Sequence, residues 1–285
     1  MAYAGPTKTP PPRTKETSDW LPWVEVRGAG LDRWHPEGLT SALPTVYGDQ
    51  VNLIAGISRK LLPNFVIGIV GGWETFDYRS DALSGHLKGD GWTTGAYLGW
   101  KLTDTIRYDL AASYSGIGYD GSAGTASGSF AGKRVFAMTG LTGTYGVHGF
   151  VLEPSARVYA LWEHEDAYTD TLDTLQAALN FSTGRASGGV RLIYPFQWTA
   201  SVTLAPYVGL YSDYYFNTDD GTASISSLVP SAVVEDGWWA RAVGGIAAKF
   251  ANGAQVALDG ERDGIGGNFE LWTYRAHASV PFAAQ

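Results

Sequence analysis

Proton-transfer chemistry in this chain would fall to its five histidines, His35, His86, His148, His164 and His277. His35 and His86 lie in stretches that read as long polar connections, and His148 lies in a turn. Only His277 reads as a strand residue on a polar face, with Ser279 on the same face. A hydrolytic triad needs a hydroxyl and an orienting acid gathered at the imidazole. Two positions along one strand do not by themselves make a hydrogen-bonded pair. His164 stands between Glu163 and Glu165, but no second histidine has metal-ligand spacing. The glycine-rich run Ser127–Lys133, SGSFAGK, lacks the spacing of a phosphate loop and leads into a strand. The expectation is a protein that is not an enzyme, with no catalytic, cofactor-binding or metal residues and no cofactor.

The other chemistry-bearing residues are charges that recur on the polar side of strand-like segments. They are Glu25, Arg27, Glu74, Asp109, Arg134, Glu153, Arg157, Glu163, Arg185, Arg191, Asp213, Arg241, Asp259, Glu261 and Arg275. Facing lipid, an Arg or Lys near the membrane midplane costs about 2–4 kcal/mol. Facing a watery lumen, the same residues can be solvated and paired. They would then line a hydrated pore that admits a polypeptide or small solutes, or form an ion-pair network that fills the lumen. Both readings use the same residues.

Strands must position these groups. Side chains on a strand alternate between faces with a period of two. In Leu271–Phe282, Trp272, Tyr274, Ala276, Ala278, Val280 and Phe282 share an apolar face, opposite Leu271, Thr273, Arg275, His277 and Ser279. The same alternation runs through 92–101, 150–163 and 238–250, with aromatics toward segment ends. About twelve such segments are expected, each near the 9–11 residues that cross a bilayer as a tilted strand. Short connections fall at 61–64, 103–105, 146–149, 195–198 and 251–253. Long ones fall at about 35–49, 79–90, 120–132, 166–179 and 217–233. Short turns on one side, long loops on the other and an even strand count describe an all-β, antiparallel up-and-down transmembrane barrel with a polar, charged lumen. Closure requires the first strand, around 23–31, to pair with the last. A soluble sandwich could bury the same residues, but it would not need aromatics at strand ends. A propeller would need four strands in each period of roughly 42–55 residues, where only two fit.

Composition agrees. The 285 residues include 37 glycines, 16 tyrosines and 11 tryptophans, a mix that favours strands and tight turns. A net charge of −8 argues against a nucleic-acid partner, and the absence of cysteine removes disulfides and thiolate metal sites. No apolar run is long enough for a membrane helix. Residues 1–19 are Pro-, Thr- and Lys-rich and read as a disordered tail or linker, with the barrel over 20–285. The start has no apolar signal region, so the chain is expected to be a mature form or part of something longer.

Four passages resemble the translocator (β-barrel) domain of bacterial autotransporters, the type V secretion family. They are FVLEPSARVY at 150–159, followed by WEHEDAYTD; FSTGRASGGVRL at 181–192; LAPYVGLYSDY at 204–214; and a final strand ending in the aromatic Phe282. The resemblance implies a twelve-stranded, monomeric barrel among the lipids of a Gram-negative outer membrane, placed there by the barrel-assembly machinery. It implies that an N-terminal passenger polypeptide is exported or anchored, with a segment of it running through the lumen. On this reading Glu25, Arg27, Glu153, Arg157, Arg241, Asp259, Glu261 and Arg275 line the lumen. Trp272, Tyr274, Val280 and Phe282 form the C-terminal insertion signal. The chain departs from the family by the Ala-Ala-Gln after Phe282, and it has no Asn-Asn pair near its start for self-cleavage. A passenger-free barrel serving as a passive channel or adhesin is the alternative.

Overall fold

The computed structural model describes residues 19–33, 45–81, 84–219 and 236–281. Phe282 and the tail before residue 19 lie outside the described residues. Twelve long strands follow one another in the chain: β1 Trp20–Arg33, β2 Val46–Leu62, β3 Phe65–Ser80, β4 Gly85–Lys101, β5 Ile106–Ala123, β6 Ala126–Gly143, β7 Phe150–Glu165, β8 Leu179–Ile193, β9 Val202–Asp219, β10 Gly237–Phe250, β11 Gln255–Ile265 and β12 Phe269–Ser279. Each pairs antiparallel with the next, and β12 pairs with β1 from Trp23↔Ser279 to Arg33↔Phe269. The sheet is therefore a closed barrel, as the alternation required, with β1 starting and β12 ending at the rim with the short turns.

Two prolines sit inside paired strands without breaking them. Pro154 of β7 falls between Ser155↔Thr142 and Leu152↔Tyr145, a gap between β6 and the short extended piece Tyr145–Val147. Pro206 lies just past the last β8 pairing, Ile193↔Tyr207. Neither removes a ladder hydrogen bond, the usual objection to proline in a central strand.

Ten of the strands run from 14 to 18 residues, beyond the expected 9–11, while β11 and β12 have 11 each. Two expected long connections are strand instead. Residues 79–80 continue β3 and residues 85–90 continue β4, and residues 120–132 continue β5 and β6 up to a turn at 124–125. The connection at 166–179 holds a small hairpin, Tyr168–Thr169 paired with Leu175–Gln176. At the opposite rim, Phe196–Thr199 pairs with β9, moving that turn to 200–201.

Outward side chains carry two aromatic girdles. One lies at the short-turn rim, with Phe65 against Trp100 and Phe150 against Tyr194. The other lies partway up the strands, where Trp73 pairs with Trp92, Trp92 packs on Tyr114, and Tyr214 packs on Trp238. Between them the outer wall is exposed Val24, Val26, Leu53, Ile69, Val158, Val208 and Leu258. Eight residues separate Phe65 from Trp73. At about 3.4 Å per residue and a tilt of about 40°, that sets the girdles about 20 Å apart along the membrane normal.

Above the second girdle the wall reverses its polarity. Outside, Asp77 is hydrogen-bonded to His86 at 2.7 Å and ion-paired with Arg79 and Lys88, each at 3.4 Å, and Lys133 pairs with Asp166. Inside, Phe76, Tyr78, Leu87, Ile117 and Tyr119 are buried together with Leu31, Val46, Phe181 and Phe269. Water on the outside accounts for the reversal. Where the wall leaves lipid, apolar side chains gain by turning inward. The hydrophobic core of this protein is thus inside the barrel, at the loop end.

Candidate functional site: the barrel lumen

The charges named above all lie on strands, but the pairs they form are not all those that proximity in sequence suggests. Glu25 accepts from Arg27 at 3.1 Å, and His277 Nδ1 lies 3.6 Å from Glu25. Arg275 meets Asp259 at 2.9 Å, and Tyr207 donates to the same carboxylate at 3.0 Å. Arg241 bonds Asp213 at 2.6 Å, Glu261 at 2.8 Å and Ser187 at 3.0 Å, with its guanidinium 4.4 Å from the Tyr211 ring centre. Glu153 pairs with Arg191, its register partner on β8, rather than with Arg157. Four residues along a strand span about 13 Å, so Arg157 is out of reach of Glu153. Arg157 instead donates to Thr142 at 3.4 Å and keeps a buried Nε without a partner.

Some of these pairs cross the barrel instead of linking neighbouring strands. Arg134 of β6 bonds Glu163 of β7 at 2.7 Å and reaches Glu74 of β3 at 3.0 Å, over β4 and β5. Gly91 and Gly132 leave room for this crossing. A Cβ on Gly132 would meet Tyr119 at 2.6 Å, and one on Gly91 would meet Ile117 at 2.8 Å. Arg185 of β8 bonds Asp263 of β11 at 3.0 Å, and Tyr215 donates to Asp263 at 2.5 Å. Lower down, Trp23 of β1 donates its indole N–H to Tyr97 of β4 at 2.6 Å, and Ser58 lies 2.6 Å from the same hydroxyl. Tyr97 lies over Gly68, where a Cβ would come within 2.2 Å of its ring.

These are buried charges. Arg134 is 13% exposed, Glu74 6% and Glu163 0%, while Asp213 and Asp263 are both 0%. Desolvation offsets much of the attraction in such pairs, so they fix which residues meet more than they stabilise the fold.

Asp263, Tyr119 and Tyr215 were not singled out by the sequence reading. Asp263 shares the parity of Asp259 and Glu261, so alternation alone could have found it. The two tyrosines read as ordinary strand aromatics. Of the histidines, His277 stacks on Trp23 with ring centres 5.7 Å apart, and its acid partner is Glu25. No hydrogen bond joins it to Ser279 among the described residues. His86 is a β4 residue and not a loop residue, and His148 is the turn residue expected, with φ of 48°. His164 faces outward, hydrogen-bonded to Asn180 at 2.7 Å and near Asp166 at 3.3 Å. Ser127–Lys133 lies within β6. At the seam, Trp272 and Tyr274 stack on the outer face at 6.3 Å, and Val280 is exposed at the rim.

The aromatic core above the charges includes a run of ring contacts along the inner wall from β3 to β6 and on to the small hairpin. Tyr78 meets Phe76 at 5.5 Å, Phe76 meets Tyr119 at 5.6 Å, Tyr119 meets Phe130 at 4.9 Å and Phe130 meets Tyr168 at 4.8 Å. Tyr168 belongs to the small hairpin, which is also tied to β6 by hydrogen bonds from the Thr171 amide to Ser127 and from the Ser127 amide to Thr171. Asp170 holds the hairpin turn, accepting from the amides of Leu172 and Thr174 and from Gln176. The Thr174 amide leads in holding its carboxyl below the usual range, with help from Gln176 and the Leu172 amide.

The sequence pattern described as the autotransporter β-domain matches residues 23–261. No curated protein sequence matches the chain significantly. Among solved structures, the translocator domain of the autotransporter NalP from Neisseria meningitidis superposes with a TM-score of 0.68 at 15% identity, covering 93% of this chain and 89% of that one. The β-domain of the Bordetella autotransporter BrkA gives 0.71 at 13% identity, covering 93% and 100%. The transport unit of AIDA-I from Escherichia coli gives 0.66 at 12% identity, covering 95% and 92%.

Proposed function

Because the chain belongs to the autotransporter β-domain family, we propose that it exports, or holds at the cell surface, a polypeptide joined to the N-terminal side of Trp20. The protein is an outer-membrane barrel of a Gram-negative bacterium and a translocator by family. The observation that carries the export reading is the position of β1. It starts at the short-turn rim, the periplasmic side in such barrels, next to the end of β12. A preceding polypeptide thus begins at the periplasmic mouth of the lumen. There Glu25, Arg27, Arg275, Asp259, Glu153 and Arg157 offer it a polar lining, and Arg241 and Glu261 lie deeper.

The same reading gives the closing strand its role. Outward Trp272 and Tyr274 and exposed Val280, with Phe282 taken from the sequence pattern alone, are the residues that the barrel-assembly machinery would read. The barrel acts as a monomer, without catalysis of its own, and residues before β1 serve as linker. Burial of the outer lumen favours export over a passive channel, the alternative reading. To test this, an epitope is placed before Trp20 behind a signal peptide, and intact cells are probed with antibody. Surface signal is expected. Epitope confined to the periplasm of cells whose barrel is inserted would refute export.

A further inference from the structure

We propose that the outer half of this barrel is a built-in seal, closing the lumen with the barrel's own side chains and latching the 168–176 hairpin onto its β6 side. The claim concerns the barrel alone; only the displacement of the seal by an exported segment rests on the export reading.

Three observations carry it. First, inward side chains at this level are almost out of contact with water: Val46 is 0% exposed, Phe269 1%, Tyr119 2%, Leu87 2%, Ile117 3% and Phe76 4%. In a water-filled barrel these positions would be wetted from the lumen. Second, the layer beneath is crossed by two ion-paired chords, Arg134 to Glu74 and Arg185 to Asp263, which join strands three apart and so span lumen instead of wall. Third, the hairpin is not a free loop. Tyr168 stacks on the inward Phe130 and lies over Gly128, where a Cβ would meet its ring at 2.4 Å. Apolar packing above and buried charge pairs below each exclude water and ions, by different physics.

A sealed barrel and a threaded polypeptide cannot occupy the same space. Export must therefore open the aromatic layer, and the layer must close again behind whatever leaves. The ring contacts suit this, because each is individually modest.

The test uses the full chain in planar lipid bilayers, with folding checked by heat-modifiable gel mobility. Wild type is expected to leave the membrane electrically silent, and vesicles carrying it should not swell in small sugars. Phe76→Ala, Tyr119→Ala and Phe269→Ala combined remove rings from the seal, and the folded variant should show resolved current steps. Tyr168→Ala with Phe130→Ala, which frees the hairpin, should give brief openings. Steady open current or sugar-driven swelling with wild type would overturn the proposal, whether or not any variant folds. So would folded ring variants as silent as wild type.

Discussion

Removing Arg134 isolates the energetics of the buried lumen. Its guanidinium is the shared partner of two carboxylates, Glu163 at 2.7 Å and Glu74 at 3.0 Å, and neither carboxylate is more than 6% exposed. Arg134→Ala leaves both acids buried with one fewer cation between them. Breaking a buried pair by deleting one partner costs about 3–5 kcal/mol, because the charge left behind is neither solvated nor matched. That is a large part of the roughly 5–15 kcal/mol by which most domains are stable. Gln50 donates to Glu74 at 3.1 Å and Tyr119 to Glu163, so some satisfaction survives and the lower end of the range is expected. The assay is urea unfolding in lipid vesicles followed by tryptophan fluorescence. Replacing the whole group, Arg134→Met with Glu74→Gln and Glu163→Gln, should return stability to within about 1 kcal/mol of wild type. A loss below about 1 kcal/mol for Arg134→Ala alone, the value of an exposed pair, would refute this account of the lumen.

Two further outcomes follow from the wall and the hairpin. Ile69, 64% exposed between the girdles, should lose about 2–4 kcal/mol as Ile69→Arg, whereas Thr75→Arg above Trp73 should cost about 0–1 kcal/mol in the same vesicle unfolding assay. Equal losses would remove the lipid boundary placed at Trp73. Asp170 has a folded pKa below its unfolded value, so its contribution is present above the unfolded pKa and fades as pH falls through the folded one. Backbone amide NMR of Leu172 and Thr174 should show the hairpin loosening only in that acid range, and Asp170→Asn should show no such acid step. A hairpin indifferent to acid would contradict the role given to Asp170.

Much of the fold was legible because lipid imposes a period of two that twelve strands share. The faces of β4, β7, β10 and β12, the inward charges, and the seam between β1 and β12 all follow from it. What escaped was the wall above Trp73. Residues 79–90 are rich in charge and glycine and read as loop, yet the strands on either side run on to Ser80 and back from Gly85 and still alternate. Phe76 and Tyr78 oppose Asp77 and Arg79, while Leu87 and Gly89 oppose His86, Lys88 and Asp90. The sense of the alternation reverses because the outer solvent changes, so a search for apolar-outward strands passes over it. Pairing was the second thing hidden. Glu153 and Arg157 share a face, but β8 supplies Arg191 directly opposite Glu153, and register is not written in either strand alone. The chords from Arg134 and Arg185 need the closed barrel before their ends come together.

The change of solvent along one wall is the central physical claim, and the cysteine-free chain suits its direct measurement. Single spin labels introduced by cysteine substitution at Ile69, Val158, Leu210 and Leu258, and at Asp77, Lys88 and Lys133, would be compared in lipid vesicles. Collision rates with oxygen and with a water-soluble nickel chelate report which solvent each label meets. The account predicts oxygen-dominated relaxation at the first four positions and nickel-dominated relaxation at the last three. Nickel access at all seven would contradict it, since the barrel would then not be seated in lipid at that belt.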